Sequence, residues 1–445
     1  MNKYQEVSDL GGRFVSEFGM HANPHRQTLH AMTRQCSQLY PGSMVLDSHN
    51  KAIGHGRRMM TYIVENFRLD NMTLDLDTYT HLTQIIQADT MRYAYKTWRR
   101  DWEARKCGGV LVWQLNDCWP TVSWAVVDYY LIKKPAWYAM KRALQPLDIG
   151  VSRTMFDWTQ TDDFVDENSG LKTGQVDNTL RAKGGTYNIW VVSSKTEDAD
   201  VWVEIRFIEI SSGHLIDKPL TRFYKAKANT TTHIHLSTPL PQAYSADSQL
   251  NSGERRGLEP ISISSDFSHH IAQRLTHLPE DHPSGNLELD RSRNRSKGED
   301  VKDEQRRPFK VSWYEPFVIQ ATLIVGDKVI ARDTAWPEPL KYLSLSDRMV
   351  TLDYSKRSIT ITTNKPVKGF VFEERRGIHL SDNGFDVMPD QPVKVDVTLV
   401  PSESLSLDPA QQEMDLKGLR FTYVGAEDTH DGYAHDRYAR KNGAS

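Results

Sequence analysis

The most informative stretch of this sequence is GGVLVWQLNDCWPTVSWAVVDYY, residues 108–130. Its central run, Val110 to Leu115, is almost wholly apolar; two glycines precede it, and Asn116 and Asp117 follow it. A short apolar run between turn-forming residues predicts a buried strand. The stretch therefore predicts a strand whose C-terminal end brings aromatic, amide and carboxylate side chains together.

A second strand is predicted by RFVSEFG, residues 13–19. Both runs lack clean alternation, which is typical of parallel strands buried on both faces. Glu17 lies at the end of this run, where a carboxylate is costly unless it is paired, hydrogen-bonded or exposed in a pocket. In parallel α/β barrels, catalytic groups lie at the C-terminal ends of strands. Glu17 is therefore a candidate catalytic carboxylate, and an ordinary strand-end ion pair is the alternative.

Helices are predicted between and after these strands. Residues 75–106 carry apolar side chains at three- and four-residue spacings without Gly or Pro, which predicts one long helix. Pro135 opens a second helical pattern over residues 135–144, because proline suits the first turn of a helix. The first 145 residues thus read as strand, helix, strand, helix, which predicts an α/β unit.

The rest of the chain predicts β-structure. We expect two β-sandwiches, over residues 146–339 and 340–427. Residues 245–308 contain one aromatic side chain and a dense mixed-charge run, so they predict a disordered insertion, and residues 428–445 predict a flexible tail. The strand-like runs are 187–192, 201–207, 231–236, 317–325, 358–362, 369–372 and 393–399.

The overall charge excludes some classes of function. Across 445 residues, 55 Lys and Arg face 58 Asp and Glu, so no basic field favours nucleic acid or anionic lipid. No apolar run is long enough to span a bilayer and no apolar signal core opens the chain, so we expect a cytoplasmic protein without a membrane segment. The three cysteines are too few for a disulfide framework. The spacing of His21, His25 and His30 matches no standard zinc motif, so we expect no metal site.

Together these segments resemble the C-terminal part of the catalytic barrel of glycoside hydrolase family 2, and in particular the β-mannosidases. Residues 16–19 (SEFG) resemble the nucleophile motif of the seventh barrel strand, and residues 108–130 resemble the motif of the eighth. Residues 133–144 (KKPAWYAMKRAL) are similar to the closing helix of that barrel. The resemblance implies that residues 1–145 are the C-terminal part of a (β/α)₈ barrel and that two immunoglobulin-like domains follow it.

The resemblance also implies a reaction, the retaining hydrolysis of terminal non-reducing β-mannose from β-mannoside oligosaccharides or glycans. Such enzymes need neither a metal nor an organic cofactor. Glu17 would be the nucleophile and Trp113 the floor of the mannose subsite. Weaker candidates for substrate contact are His21 at the rim of the pocket, Asn116 and Asp117, which could instead brace the pocket, and Trp119, which could equally belong to the core.

The sequence departs from the family in one respect. The acid/base of these enzymes is a glutamate preceded by asparagine, upstream of the nucleophile, and this sequence contains no Asn-Glu pair. Only 16 residues precede Glu17, whereas a complete barrel takes about 250. We therefore expect a C-terminal fragment that lacks its acid/base and is inactive alone. The alternatives are a β-galactosidase or β-glucuronidase of the same family, or a non-catalytic carbohydrate-binding β-sandwich protein; the oligomeric state stays open.

Overall fold

A computed structural model describes most of the chain. The predicted insertion at 245–308 and the predicted tail at 428–445 lie outside the described residues. All the elements named below belong to one compact unit, formed by residues 1–154, 186–238 and 315–445. Only Pro239, the last residue of the seventh strand, lies outside it. The described residues are 3–52, 54–69, 74–153, 186–241, 316–345, 347–355, 357–400 and 417–426.

The two predicted strands form a parallel pair, as expected. They are β1 (Val15–Phe18) and β2 (Val110–Val112), with Val15 opposite Val110 and Phe18 opposite Val112. The expectation that both faces are buried is wrong, because Leu111 is 54% exposed and Trp113, just beyond β2, is 48% exposed. Within the described part of the chain, helices cover only one face of this pair.

Five α-helices are described. The predicted helix at 75–106 is α4, which begins after Asp75, whose carboxylate accepts a 2.7 Å hydrogen bond from the backbone N–H of Thr78. It ends at Arg100 rather than at 106, and turns follow it. Helix α5 starts at Pro135, as predicted. None of these helices combines the length and the apolar character needed to cross a bilayer. The helices are α1 (Arg26–Ala31), α2 (Met44–Ser48), α3 (His55–Asn66), α4 (Leu76–Arg100) and α5 (Pro135–Ala143).

Two sheets follow the helical part. A three-stranded sheet has the order β3-β4-β7, and a four-stranded sheet has the order β6-β5-β8-β9. Along β5, Val201, Val203 and Ile205 are buried whereas Trp202 is exposed, so one face of this strand is buried and the other is open to solvent. The strands are β3 (Leu147–Arg153), β4 (Thr186–Ser193), β5 (Ala199–Glu209), β6 (Leu220–Ala226), β7 (Thr230–Pro239), β8 (Phe317–Val325) and β9 (Lys328–Ala335).

Two further sheets enclose an aromatic core near the C-terminus. Their orders are β10-β11-β15-β13 and β14-β12-β16, and both contribute to one buried cluster. Within it, the ring of Phe370 lies 4.9 Å from that of Phe372, 5.6 Å from Phe385 and 5.2 Å from Phe421. The strands are β10 (Val350–Ser355), β11 (Ser358–Thr363), β12 (Val367–Phe372), β13 (Ile378–Leu380), β14 (Phe385–Val387), β15 (Val393–Leu399) and β16 (Phe421–Thr422).

Helix α4 joins these parts through buried polar contacts spaced three or four residues apart. Such contacts are costly to break, since removal of one partner leaves an uncompensated charge away from water. The Lys368 ammonium lies 2.8 Å from Asp89 of α4 and 3.7 Å from Asp386. The other contacts of α4 are Arg92 with Asp333 at 2.6 Å, Tyr93 with Glu338 at 2.6 Å, and Lys96 with Asp148 at 2.7 Å.

The Lys368 pair gives a test of this arrangement. Lys368→Met keeps the volume of the side chain but leaves Asp89 and Asp386 without their cation, so we expect the free energy of unfolding to fall by about 3–5 kcal/mol. Lys225→Met is the matched control, because the pair of Lys225 with Asp200 is exposed and 3.8 Å long; there we expect a change within about 0.5 kcal/mol. Urea titrations measure both, and equal losses in the two variants would refute the role of the buried pair.

Candidate active site

Glu17 lies near the end of β1 with its side chain exposed. Its neighbour Phe18 packs against α4, with ring centroids 4.8 Å from Trp98 and 5.5 Å from Tyr95. Val15 and Phe18 both pack against the cluster of Ala94 and Trp98 on α4, because the register of β1 shifts between them. Glu17, which lies within this shift, is exposed and is not packed against α4.

Trp113 follows β2 and lies beside the end of β1. Its backbone N–H donates a 2.7 Å hydrogen bond to the carbonyl oxygen of Phe18. Val110 and Val112 pack against the core that includes α4, whereas Leu111 and Trp113 are exposed. Glu17 and Trp113 are therefore both exposed at the ends of neighbouring strands, whereas Phe18 and Val112 beside them pack toward α4.

Gly19 allows the two strand ends to approach this closely. A Cβ atom built on Gly19 would lie 1.7 Å from the carbonyl oxygen of Trp113, a distance that no side chain can occupy. Position 19 therefore requires glycine, because the main chain of Trp113 passes too close for any side chain.

The segments that follow the two strands are joined behind the site. Ala22 and Ser123 pair in an antiparallel bridge, with a 3.1 Å hydrogen bond from the N–H of Ala22. The fully buried Lys134 donates from Nζ to the carbonyl oxygens of Ala22 at 2.9 Å and Ser123 at 3.4 Å. Burial lowers the pKa of Lys134 to about 8, although the nearby carboxylates of Asp117 and Asp128 oppose this shift. Lys134 therefore fastens one segment to the other.

Asp117 and Asn116 occupy different positions in the structure. Asp117 is buried, and its Oδ1 accepts hydrogen bonds from Ser123 Oγ at 2.7 Å and Gln114 Nε2 at 3.2 Å. Burial raises the pKa of Asp117, and Lys134 opposes the rise. Asn116 is exposed beside it. This geometry suits Asp117 to bracing the loop and leaves Asn116 accessible to a ligand.

Trp119 packs against neighbouring side chains. Its ring is half-buried and stacks on that of His49, with centroids 4.6 Å apart and planes 22° apart. The ammonium of Lys51 lies 4.8 Å from the centre of the Trp119 ring, a cation–π geometry. Trp119 is therefore engaged by two residues of the region between β1 and α4.

His21 lies below the surface. It is 2% exposed, its Nδ1 is 2.5 Å from Nδ1 of His55, and its ring centroid is 4.0 Å from that of Trp124. Burial, followed by the neighbouring His55, lowers the pKa of His21 to about 2, and burial lowers that of His55 to about 4. Both rings are therefore neutral near pH 7. Among the described residues, no three His, Cys, Asp or Glu side chains are grouped so that they could hold a metal ion.

Gln87 of α4 is a supporting residue that sequence reasoning missed. Its Nε2 donates to the carbonyl oxygens of Met20 at 2.8 Å and Trp124 at 3.0 Å, so it holds both post-strand segments against the helix. Its sequence signal is weak, because a glutamine within a helical pattern is usually solvated. Lys134 was missed for a similar reason, since a lysine before a helix-opening proline resembles a surface residue.

Comparisons with known proteins give a family profile for the C-terminal part of the chain and relatives that match most of its length. Residues 343–420 match the sequence profile of the mannosidase Ig-fold domain, which confirms an immunoglobulin-like domain within the predicted range 340–427. Beta-mannosidase B of Aspergillus oryzae is 37% identical over 403 residues, which are 89% of this chain and 37% of that protein. By sequence, this chain is a relative of the fungal β-mannosidases B. The homologue from Emericella nidulans is 37% identical over 87% of this chain and 36% of its own length. The chain thus spans little more than a third of these relatives.

Solved structures share the fold. A β-D-mannosidase from Dictyoglomus thermophilum matches 95% of this chain and 39% of its own with a TM-score of 0.62 at 17% identity. An exo-chitosanase from Amycolatopsis orientalis matches 95% of this chain and 44% of its own with a TM-score of 0.54 at 11% identity. At these identities the likeness concerns the fold alone.

The contact at Gly19 predicts an effect of substitution. Gly19→Ala forces its new methyl group into the Trp113 carbonyl, so we expect a loss of about 3 kcal/mol in the free energy of unfolding, the upper end of the usual cost of overpacking. The control is Gly12→Ala, since no atom lies within 4 Å of a Cβ at Gly12; there we expect a change within about 0.5 kcal/mol. Urea unfolding measures both variants, and a Gly19→Ala protein as stable as the control would contradict the steric role.

The buried histidines predict a dependence of stability on pH. Burial lowers the pKa of His25 to about 4, so between about pH 6.5 and pH 4 the unfolded chain binds a proton that the folded chain does not. This histidine should therefore reduce the free energy of unfolding by up to about 1.4 kcal/mol for each pH unit of acidification in that window. His21 and His55 act in the same direction, whereas Glu374, whose pKa burial raises to about 7, acts in the opposite one.

A comparison of slopes isolates the contribution of His25. We expect the His25→Asn variant to lose less stability between pH 6.5 and pH 5 than the parent, by about one histidine's share, in urea titrations at several pH values. His30→Asn is the control, because His30 is exposed, and its slope should match the parent's. Identical slopes for His25→Asn and the parent would show that His25 is protonated in the folded state.

Proposed function

We propose that this chain supplies the nucleophile side of the active site of a retaining β-mannosidase, which releases terminal non-reducing β-mannose. The observation that carries the proposal is the joint exposure of Glu17 and Trp113 at the ends of adjacent parallel strands, fixed by the hydrogen bond from Trp113 to Phe18. The identity to proteins named β-mannosidase B supports the choice of mannose. Other glycosidase specificities have no comparable support.

The two side chains suit the two tasks that this reaction requires. An ionised carboxylate at Glu17 would attack the anomeric carbon and form a covalent glycosyl-enzyme, which water then hydrolyses. The indole of Trp113 offers an apolar face to the C–H face of the sugar ring, and Asn116 beside it offers an amide to hydroxyl groups. Trp113 would therefore orient the ring while Glu17 performs the chemistry.

A retaining mechanism needs a second carboxyl group about 5–5.5 Å from the first. We propose that this acid/base lies in the part of the relatives' length that this sequence does not span, and that residues 1–145 are the C-terminal part of a (β/α)₈ barrel. The exposed inner face of β1 and β2 supports this, because the parallel strands of such a barrel are covered on both faces. Residues 146–339 and 340–427 would then be two immunoglobulin-like domains that follow the barrel.

The identity of the nucleophile is tested with 2-deoxy-2-fluoro-β-mannosyl fluoride. This reagent traps the glycosyl-enzyme, and its fluoride leaves without protonation, so labelling does not depend on the acid/base. The protein used is this chain preceded by the N-terminal portion of the Aspergillus oryzae relative. We expect one fluoromannosyl group on the peptide that contains Glu17, detected by mass spectrometry, and none in Glu17→Gln. Glu103→Gln, a change at an exposed carboxylate on the turn after α4, should be labelled like the parent.

Two results would contradict the proposal. Labelling of a carboxylate other than Glu17 would remove its role as nucleophile. Release of mannose from β-1,4-mannobiose by the 445-residue chain alone, abolished in Glu17→Gln, would show that the acid/base lies within this sequence.

A further inference from the structure

A row of apolar side chains crosses the outer face of the four-stranded sheet β6-β5-β8-β9. Trp202 of β5 lies opposite Phe223 of β6 and Ile324 of β8, and Ile324 lies opposite Val329 of β9. We call these four residues the apolar strip. With strands about 4.8 Å apart, the strip is about 14 Å long.

Three of the four residues of the apolar strip are exposed to solvent, and Ile324 is half-buried. Phe223 is 51% exposed, Val329 46% and Trp202 45%, and the Trp202 and Phe223 rings meet edge to face at 5.6 Å. The buried core of this sheet uses the opposite side chains of β5, such as Val203. Trp202, Phe223 and Val329 therefore lie outside the buried core of this sheet, and a contiguous set of exposed large apolar groups indicates a binding surface.

Charged side chains border the apolar strip on both sides. On one side, Lys225 and Asp200 form an exposed pair at 3.8 Å. On the other side, Glu204 and Arg206 form a 2.7 Å ion pair, and Arg332 lies in the same row as Glu204, on β9. Two carboxylates thus face three cations, so the border is rich in hydrogen-bonding groups but has little net charge.

The width of the apolar strip and the charges along its borders favour one class of binding partner over the others. A specific protein partner covers about 800 Å² on each side, with an apolar centre depleted in charge, whereas this strip is one side chain wide and has charges on both flanks. Nucleic acid or anionic lipid requires a marked excess of basic residues. A neutral glycan chain is narrow, places C–H faces on aromatic rings and offers hydroxyl groups along both edges, so it matches the strip and its borders.

We propose that the apolar strip binds a neutral β-linked glycan chain, at a site built from β5, β6, β8 and β9 and separate from Glu17. The strip would bind an internal part of a glycan chain, while the site at the ends of β1 and β2 acts on the terminus of that glycan. The choice of mannan as the first ligand to try rests on the proposed function, whereas the strip itself does not.

The experiment uses the 445-residue chain and isothermal titration with β-1,4-mannohexaose, β-1,4-glucohexaose and dextran. We expect binding of at least one β-linked hexamer and none of dextran. Because removal of one aromatic contact costs about a factor of ten in affinity, Trp202→Ala and Phe223→Ala should each weaken binding about tenfold. Leu236→Ala, an exposed apolar residue on β7 of the other sheet, is the matched control and should bind as the parent does. Unchanged thermal unfolding of the variants confirms that they fold.

Each outcome decides the proposal. Absence of binding to every glycan, or binding that Trp202→Ala and Phe223→Ala leave intact, overturns it. Binding lost in Trp113→Ala but retained in Trp202→Ala also overturns it, because the affinity then belongs to the candidate active site. Binding of glucohexaose alone, lost in Trp202→Ala, supports the strip and removes the argument for mannan. Failure of the fluorosugar to label Glu17 leaves the strip unaffected, so the two proposals fail separately.

Discussion

The buried polar contacts of α4 are the constraint on which the remaining structure depends. Within about two turns, Asp89, Arg92 and Lys96 reach oppositely charged partners in three different strands, β12, β9 and β3. Each charge has been taken out of water, so its partner must remain in place or the cost is several kcal/mol. Directional contacts of this kind fix the rotation and height of the helix against both β regions, which apolar packing alone would leave less specific.

The same helix supports the candidate site from below. Tyr95 and Trp98 anchor Phe18, and Gln87 holds the segments that follow both strands. The strand β12 is buried on both sides, because Phe370 and Phe372 face the aromatic core whereas Val371 packs in the core that contains α4. Glu17 and Trp113 are thus held by a frame in which the helix, the strand ends and the C-terminal sheets share one interior.

Features of the fold that follow from a local pattern of residue types could be predicted from the sequence, whereas features that depend on distant partners could not. Helical periodicity located α4, and Pro135 located the start of α5. A nearly continuous apolar run located β8 and an alternating one located β15, both with their observed bounds, because the pattern of residue types reflects which faces are buried. Helices α1 and α2, of 6 and 5 residues, were missed because one or two turns give too little pattern, and the 12-residue helix α3 was missed as well. The depth of His21 and the supporting roles of Gln87 and Lys134 depend on partners far away in the chain, and one sequence does not specify those pairings.

The contact between Gly19 and residue 113 separates the role of the main chain at position 113 from the role of its side chain. It is the main chain of residue 113 that touches Gly19 and bonds to Phe18, whereas its indole takes no part in either contact. Neither contact therefore depends on which side chain stands at position 113. Under the proposed function, a change of the side chain at position 113 would alter the sugar that is accepted while Glu17 stays in place.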